Sequence, residues 1–308
     1  MNPIFFHTYS SKPLCGLRLM SLLFRTMKQY FPDTDEDDYV HFEKFSKKKH
    51  QAKPMHSHRA LSQHSNHEGE MLYDETGLQE LYEQGHINEV LRMIRRGKEA
   101  TVYVCRTEQQ TLAAAKVYTD IKVRSFRNDI MYRDNRFIGS KRLEKAVQQH
   151  TKTGVDAQQA LWIYEEFRQL QFLSSHGIAV PKPIAYSGRV ILMEFIGDEN
   201  GEAPRLSDCD LSPAKAQDAF RQAIELLQQM LSLGRIHGDF STFNLLWWQE
   251  HIIGIDFPQV IEIQRSPHAR EMLRRDVHSL CHSFARLGVQ SNEDIVFKNI
   301  ERYADWRK

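Results

Sequence analysis

From about residue 75 the chain alternates between short β-prone runs and long segments of helical period, and each change of period marks an element. "TGLQELYEQGHINEVLRMIRRG" opens with a short helix carrying Leu78, Leu81 and Tyr82, then an apolar stretch at Val90, Leu91, Met93 and Ile94. "TVYVC" and "LAAAKVY" follow, separated by the polar turn "RTEQQT", so the pattern predicts an antiparallel meander of three strands. A helix is expected from about Asp156 to Ser175, stopping at Gly177, and "IAVPKPIAYSG" and "RVILMEFIG" supply two more strands. A second long helix opens at Ser212-Pro213, a good N-cap and first-turn pair, and carries Phe220, Ile224, Leu227 and Leu231 to Gly234. The last amphipathic helix is expected around Pro267 to Leu287, with Val277, Leu280, Phe284 and Leu287 on one face. The fold class is therefore α+β: five strands with one long helix, then a mostly helical half.

The first 74 residues look different. The N-terminal "MNPIFFHTYSSKPLCGLRLMSLLF" is interrupted by Lys12 and Arg18 and has no clear cleavage site, so we read it as an unstructured leader, with Met27 an alternative start. "DTDEDD" at 33–38 has the alternating acids of a calcium loop, but Asp38 stands where its glycine belongs and Lys44 where its glutamate belongs, which excludes that site. The His-, Ser- and Lys-rich stretch that follows lacks large apolar residues and reads as a disordered linker. A charged segment from Thr119 to Thr153 reads as a long insertion.

Composition narrows little. Across 308 residues, 41% hydrophobic and 26% charged content with a net charge of +1 give no push toward DNA or a membrane. No apolar run approaches a membrane span. Cys15, Cys105, Cys209 and Cys281 are scattered without a CxxC pair, which fits a reducing cytoplasm.

The chemistry is concentrated in "IHGDFSTFNLLWWQEHIIGIDFP". "HGDFSTFN" sets Asp239 and Asn244 five residues apart in a segment too irregular for a helix, and "IIGID" is a short apolar strand ending in Asp256. A strand-end carboxylate beside a loop carboxamide offers hard oxygen ligands suited to Mg²⁺, leaving Asp239 to orient a nucleophile or take its proton. Lys116 lies in a strand of small and apolar residues, where an ammonium either snorkels out or meets an anion. Trp162, Glu166, Leu170 and Leu173, spaced by four, four and three, share one helix face, so Glu166 points inward while Glu165 points elsewhere. An inward glutamate needs a cation, and Lys116 is the best candidate. A strand lysine, a helix glutamate, two acids and an asparagine are the parts of phosphoryl transfer from Mg-ATP. The turn "RRGKEAT", with Gly97 and Lys98, allows backbone N–H groups near phosphates, although no Gly-rich or Walker motif is present. Glu194 to Ile196 would be the connector whose backbone pairs with adenine, with Met193 behind it.

These residues resemble the RIO-type atypical protein kinases, through "GKEATVY", "AAKVY", "WIYEEFRQL", "GIAVPKPI", "IHGDFSTFNLL" and "IDFPQ", over roughly residues 78 to 290. The resemblance, closest to bacterial and archaeal members, implies a two-lobed kinase-like fold: an N-lobe over 75–195 with a five-stranded antiparallel sheet, and a reduced, mainly helical C-lobe over 196–308. It implies that Lys116 binds the ATP phosphates and pairs with Glu166, that Asp239 is the catalytic aspartate, and that Asn244 and Asp256 hold Mg²⁺ or Mn²⁺. The resemblance also implies that Asp256 can carry an aspartyl-phosphate intermediate, as its counterpart in the family does. Asp276 either holds the backbone of the catalytic loop or is a surface charge. One departure stands out: the family usually has Ser-Thr before its "GKEA", where this chain has Arg95-Arg96.

Gly238, between His237 and Asp239, stands where many protein kinases carry an arginine that reads a phosphorylated loop, and only about ten residues separate Asp256 from the next helix. The expected activity is therefore serine/threonine phosphorylation, autophosphorylation included, without the usual peptide-docking platform. An ATP-driven switch acting on a ribosomal particle or other RNP is one alternative. An aminoglycoside- or choline-type phosphotransferase, which shares H-G-D-x-x-x-x-N and the I-D strand end, is another. The physiological protein substrate is left open by the sequence.

Overall fold

The computed structural model describes residues 63–65, 71–119, 149 and 151–306. The leader, the 33–38 acidic run and most of the linker and of the 119–153 insertion lie outside the described residues. Order begins earlier than residue 75: β1 (Gln63–Ser65) pairs antiparallel with β2 (Met71–Tyr73), Gln63 opposite Tyr73. Such a ladder rests on backbone groups, which is why a reading based on apolar alternation passes over it.

The helix expected at Leu78 is α1 (Thr76–Glu83), started by Glu75, whose side chain accepts from the Gly77 N–H. Three strands follow as an antiparallel meander, β3 (Glu89–Arg96), β4 (Ala100–Arg106) and β5 (Leu112–Tyr118). Then come α2 (Lys152–Ser175), β6 (Pro183–Ser187) and β7 (Val190–Glu194). α2 begins four residues before the expected Asp156, inside what the sequence suggests is insertion. The strands form one antiparallel sheet in the order β3-β4-β5-β7-β6, so β5, the lysine strand, is central. Successive residues of β5 face opposite sides. Ala113, Ala115 and Val117 pack with Leu78, Leu81, Val190 and Leu192 under α1. Ala114 lies on the other side, with Val104 and Phe195.

A small ladder, β8 (Gly197–Asp198) with β9 (Gly201–Glu202), leads to α3 (Pro213–Ser232). Ser212 caps α3 as expected, its Oγ accepting from the Lys215 N–H at 3.4 Å. Two short strands, β10 (Arg235–Ile236) and β13 (Ile261–Glu262), pair with each other and bracket a hairpin of β11 (Leu245–Trp248) and β12 (His251–Gly254). α4 (Ala269–Ala285) is shorter at each end than the sequence suggests, and α5 (Glu293–Glu301), capped by Asn292, was not anticipated. The second core gathers Leu170 and Leu173 of α2, Phe220, Leu227 and Leu231 of α3, Val277, Leu280 and Phe284 of α4, and Phe297 and Ile300 of α5. Ile224 and Leu287 sit at its margin. Among the described residues no helix is long and apolar enough to cross a membrane.

Candidate active site

Lys116 is paired across the sheet with Val102 on β4 and Ile191 on β7, so its backbone is fixed from both sides. Its ammonium lies 2.6 Å from Glu166 Oε1 and 2.6 Å from Asp256 Oδ1, donating to both. The Tyr118 ring is 5.1 Å from Nζ and packs edge-on against Trp162 of α2. Glu166 is 4% exposed and its Oε2 is buried without a hydrogen-bond partner, whereas Glu165 turns to Arg168 and Gln169. The helix period thus sorted the two glutamates correctly.

Burial pushes the Glu166 carboxyl up, to about 7, with Lys116 pulling it down and Asp256 raising it again. Burial would lower the pKa of Lys116, but Asp256 and Glu166 outweigh it and hold the ammonium protonated. For Asp256, too, burial opposes ionisation, and Lys116 overrides it, so its pKa falls below the usual carboxylate range. One ammonium therefore serves two acids, and the site has room for a further cation in terms of charge.

Asp256 does not end a strand as expected. β12 stops at Gly254, and Asp256 lies beyond it with φ +71°, a left-handed conformation that costs a non-glycine residue free energy. Aspartate is among the side chains that tolerate it best. Asp239 is exposed, and Asn244 Nδ2 donates both to its carbonyl at 2.8 Å and to its Oδ2 at 3.1 Å. Asn244 forms the end of a 3₁₀ turn, Thr242–Asn244, and is joined to the Asp256 segment by Ile255 N–H donating to the Asn244 carbonyl at 3.0 Å. The carboxamide oxygen and the two carboxylates are hard donors of the kind Mg²⁺ takes. Among the described residues no three His, Cys, Asp or Glu side chains form a metal cage.

Asp276, left open by the sequence, is a backbone anchor rather than a surface charge. It is 1% exposed on α4, with Oδ2 accepting from Gly238 N–H at 2.9 Å and Oδ1 from Phe240 N–H at 3.0 Å. Burial raises its pKa to about 7 even though those amides favour the anion. A second tie runs from Thr242 N–H to Ser283 Oγ on the same helix, at 3.2 Å. Gly238 has φ +83°, and a Cβ there would come within 2.6 Å of the Gln259 carbonyl. Its identity is thus set by the close approach of two segments of the chain. His237 is fully buried between Phe240 and Phe257, its Nε2 donating to the Ile255 carbonyl at 3.2 Å. Burial lowers its pKa and keeps it neutral.

The remaining expected residues are placed less directly. Gly97 closes the β3–β4 turn by donating to the Ala100 carbonyl at 2.8 Å, and Lys98 is exposed on that turn. In the connector, the Glu194 N–H already donates to the Lys182 carbonyl, and the Ile196 carbonyl accepts from Ala203 N–H. The Glu194 carboxylate accepts from Lys182 N–H. An adenine edge would be read by other backbone groups of this segment. Sequence reasoning also missed an apolar cluster on the sheet face of Lys116. Val104, Ala114 and Phe195 are buried there, flanked by Ile94, Val102, Leu112 and Met193. Strand alternation held the signal, because Ala114 is two residues from Lys116 and shares its face.

The RIO domain family model matches residues 101–296, more than half of the chain. The chain is 30% identical over 222 residues to the RIO-type serine/threonine-protein kinase Rio1 of Haloferax volcanii, covering 71% of each. It is 32% identical over 208 residues to human serine/threonine-protein kinase RIO1, covering 67% of this chain and 35% of that one. The chain thus spans about a third of the length of that longer relative. Among solved structures, the Rio2 kinase of Chaetomium thermophilum superposes with a TM-score of 0.53 at 21% identity, covering 79% of this chain and 73% of the other. Its ADP/Mg²⁺-phosphoaspartate complex gives the same score at 18% identity, covering 92% and 86%. Those likenesses carry the two-lobed kinase-like fold, and the domain match, together with the archaeal relative, places the chain in the RIO family of atypical kinases.

Proposed function

We propose that the protein is a serine/threonine protein kinase that transfers the γ-phosphoryl group of ATP to hydroxyl groups, its own included. The observation that carries this reading is Lys116 held at 2.6 Å from both Glu166 and Asp256, on the sheet face that also carries an apolar cluster of Val104, Ala114 and Phe195. In this reading Glu166 orients Lys116, and Lys116 meets the phosphates. Asn244 and Asp256 would hold Mg²⁺, with Mn²⁺ as a substitute, and the ion would neutralise charge on the phosphates. Asp239 Oδ2 is engaged by Asn244, which leaves Oδ1 to take the hydroxyl proton as the acceptor attacks. Asp276 keeps that loop in place through its backbone. Incubation with labelled ATP, followed by mapping of the label to Ser/Thr or to acid-labile Asp256, tests the activity. Lys116→Ala, Asp239→Ala and Asp256→Ala are each expected to abolish transfer in a folded protein, and full activity of Asp239→Ala would overturn the site.

A second reading, an ATP-driven switch on a ribosomal particle, is supported by the segment after Asp256. Phe257, Pro258, Val260, Ile261, Ile263 and Ser266 are buried, so this stretch is packed in place rather than free to form a peptide platform. Co-sedimentation with ribosomal particles that changes in Asp239→Ala would favour it. Phosphorylation of an aminoglycoside or choline without autophosphorylation would instead favour a small-molecule kinase. A cytoplasmic site of action goes with either of the first two readings, and Cys105, Cys209 and Cys281 are free thiols.

A further inference from the structure

We propose that Arg205 and Arg95 form a cation pair at the mouth of the site that binds the γ-phosphoryl group of ATP and distinguishes ATP from ADP. This rests on the nucleotide reading above.

Arg205 precedes the 3₁₀ turn Leu206–Asp208, and its backbone is pinned on several sides. It forms a β-bridge with Leu246, two residues past Asn244, and the neighbouring Pro204 carbonyl accepts from Trp247 N–H at 2.9 Å. The Cys209 thiol donates to the Arg205 carbonyl, and Leu206 next to it is fully buried. The residue is thus anchored beside the strand that leaves Asn244. Its side chain is half-buried, yet its guanidinium makes no hydrogen bond or ion pair among the described residues. A partly desolvated cation without a partner is unfavourable unless an anion arrives.

The groups that act on it electrostatically are Arg95, Asp256 and Asp208: burial and then Arg95 depress its pKa, while Asp256 and Asp208 raise it. Arg95 reaches from β3 to Asp208, but only at 3.4 Å and with both side chains about half exposed. The other oxygen of Asp208 accepts from Ser207 Oγ. Arg95 thus holds Asp208 loosely, and Arg205 lies beside that pair in the combined field of Arg95, Asp208 and Asp256. A phosphate, with several acceptor oxygens, satisfies two guanidinium forks at once. Arg95 is also one of the two residues standing where RIO relatives usually carry Ser-Thr before "GKEA". A charged side chain thus stands at the end of β3 where the resemblance leads one to expect a hydroxyl, and Arg205 brings a second charge beside it.

The test uses the full chain with Mg²⁺, measuring equilibrium binding of ADP and of a non-hydrolysable ATP analogue to the wild type, Arg205→Gln, Arg95→Gln, the double variant and Arg205→Lys. Each Gln variant is expected to bind the ATP analogue about tenfold more weakly, the loss of one charged hydrogen bond, with ADP changed by less than about twofold. The double variant should lose less than the product of the two single losses, since both groups hold one anion. Arg205→Lys, which keeps the charge, should retain part of the preference. Should Arg205→Gln fail to fold, Arg95→Gln at its exposed position and Arg205→Lys still decide the matter. Equal loss for both nucleotides, or none, overturns the proposal and leaves the kinase reading intact. A folded wild type that binds neither nucleotide overturns both.

Discussion

Removing the ammonium of Lys116 should destabilise the protein by an amount that depends on pH, because one of its two acids can protect itself. In Lys116→Met, Glu166 and Asp256 lose a donor at 2.6 Å. Breaking a buried ion pair typically costs about 3–5 kcal/mol, since a bare charge is left behind. Glu166 escapes most of that cost: its pKa already stands at about 7, so it takes up a proton when the lysine goes. The protonated form is indifferent to Lys116, so near neutral pH the added cost through Glu166 is far below that of breaking a fully ionised pair. Asp256, 37% exposed, adds a solvent-screened contribution of about 1 kcal/mol or less. A raised folded-state pKa contributes stability at low pH that is lost as pH rises through it. In the wild type this loss levels off once Glu166 ionises above about 7. In Lys116→Met the folded-state pKa lies higher still, so Glu166 stays protonated when folded and ionised when unfolded. Each pH unit above 7 then costs the variant about 1.4 kcal/mol more than the wild type, one proton's worth. Urea denaturation of both proteins from pH 6 to pH 9 measures the difference directly. The expected result is a gap of about 1 kcal/mol at pH 6 that widens above pH 7, and that Glu166→Gln in the same background renders flat. A gap of about 3–5 kcal/mol already present at pH 6, or one that does not change with pH, refutes the shared-lysine account.

Three other outcomes follow from the same geometry. Asp276→Asn keeps the shape but turns one N–H donor toward an amide of the catalytic loop, so it should cost about 1–3 kcal/mol by thermal or urea unfolding and reduce phosphate transfer more than nucleotide binding. Gly238→Ala should destabilise by about 1–2 kcal/mol from its left-handed φ alone, and by more because the new Cβ meets the Gln259 carbonyl; a stable, active variant would show that the two chains can part there. Glu250→Gly should stabilise the fold by up to about 1 kcal/mol, because Gln249 and Glu250 both have positive φ in the β11–β12 turn and glycine relieves the second; the exposed pair with Lys215 is a small loss against it.

Much of the site was readable from periodicity, because its first half is written in single elements. The spacing from Trp162 to Leu173 placed Glu166 inward, and the small residues around Lys116 marked a buried strand. The second acid on Lys116 was not readable: Asp256 is 140 residues away in sequence, and its approach depends on how the sheet sits over the loop. Nor does periodicity report the backbone. "IIGID" looks like a strand to its last letter, yet the ladder ends at Gly254 and the chain turns left-handed at Asp256. The early ladder at 63–65 escaped because it has too few apolar positions to set a period, whereas α5 does carry a signal in its Asn292 cap and the spacing of Val296, Phe297 and Ile300. Which N–H and C=O groups of the segment from Glu194 to Ile196 are already spent is likewise a tertiary fact.

The hairpin between Asn244 and Asp256 has a consequence for how the molecule tolerates change. Asn244 immediately precedes β11, and the Ile255 amide closes back onto the Asn244 carbonyl, while the turn at Gln249-Glu250 lies four residues up each strand. At about 3.4 Å per residue the tip stands about 17 Å from Asn244. The hairpin therefore works as a caliper whose jaws are the site and whose hinge is remote from it. Length added or removed in pairs at the tip leaves the jaws where they are, whereas one extra residue in either strand would swing a ligand to the opposite face. The tip is thus the natural insertion point for a reporter or a crosslinking group, and the base of the hairpin is where the chain length cannot drift.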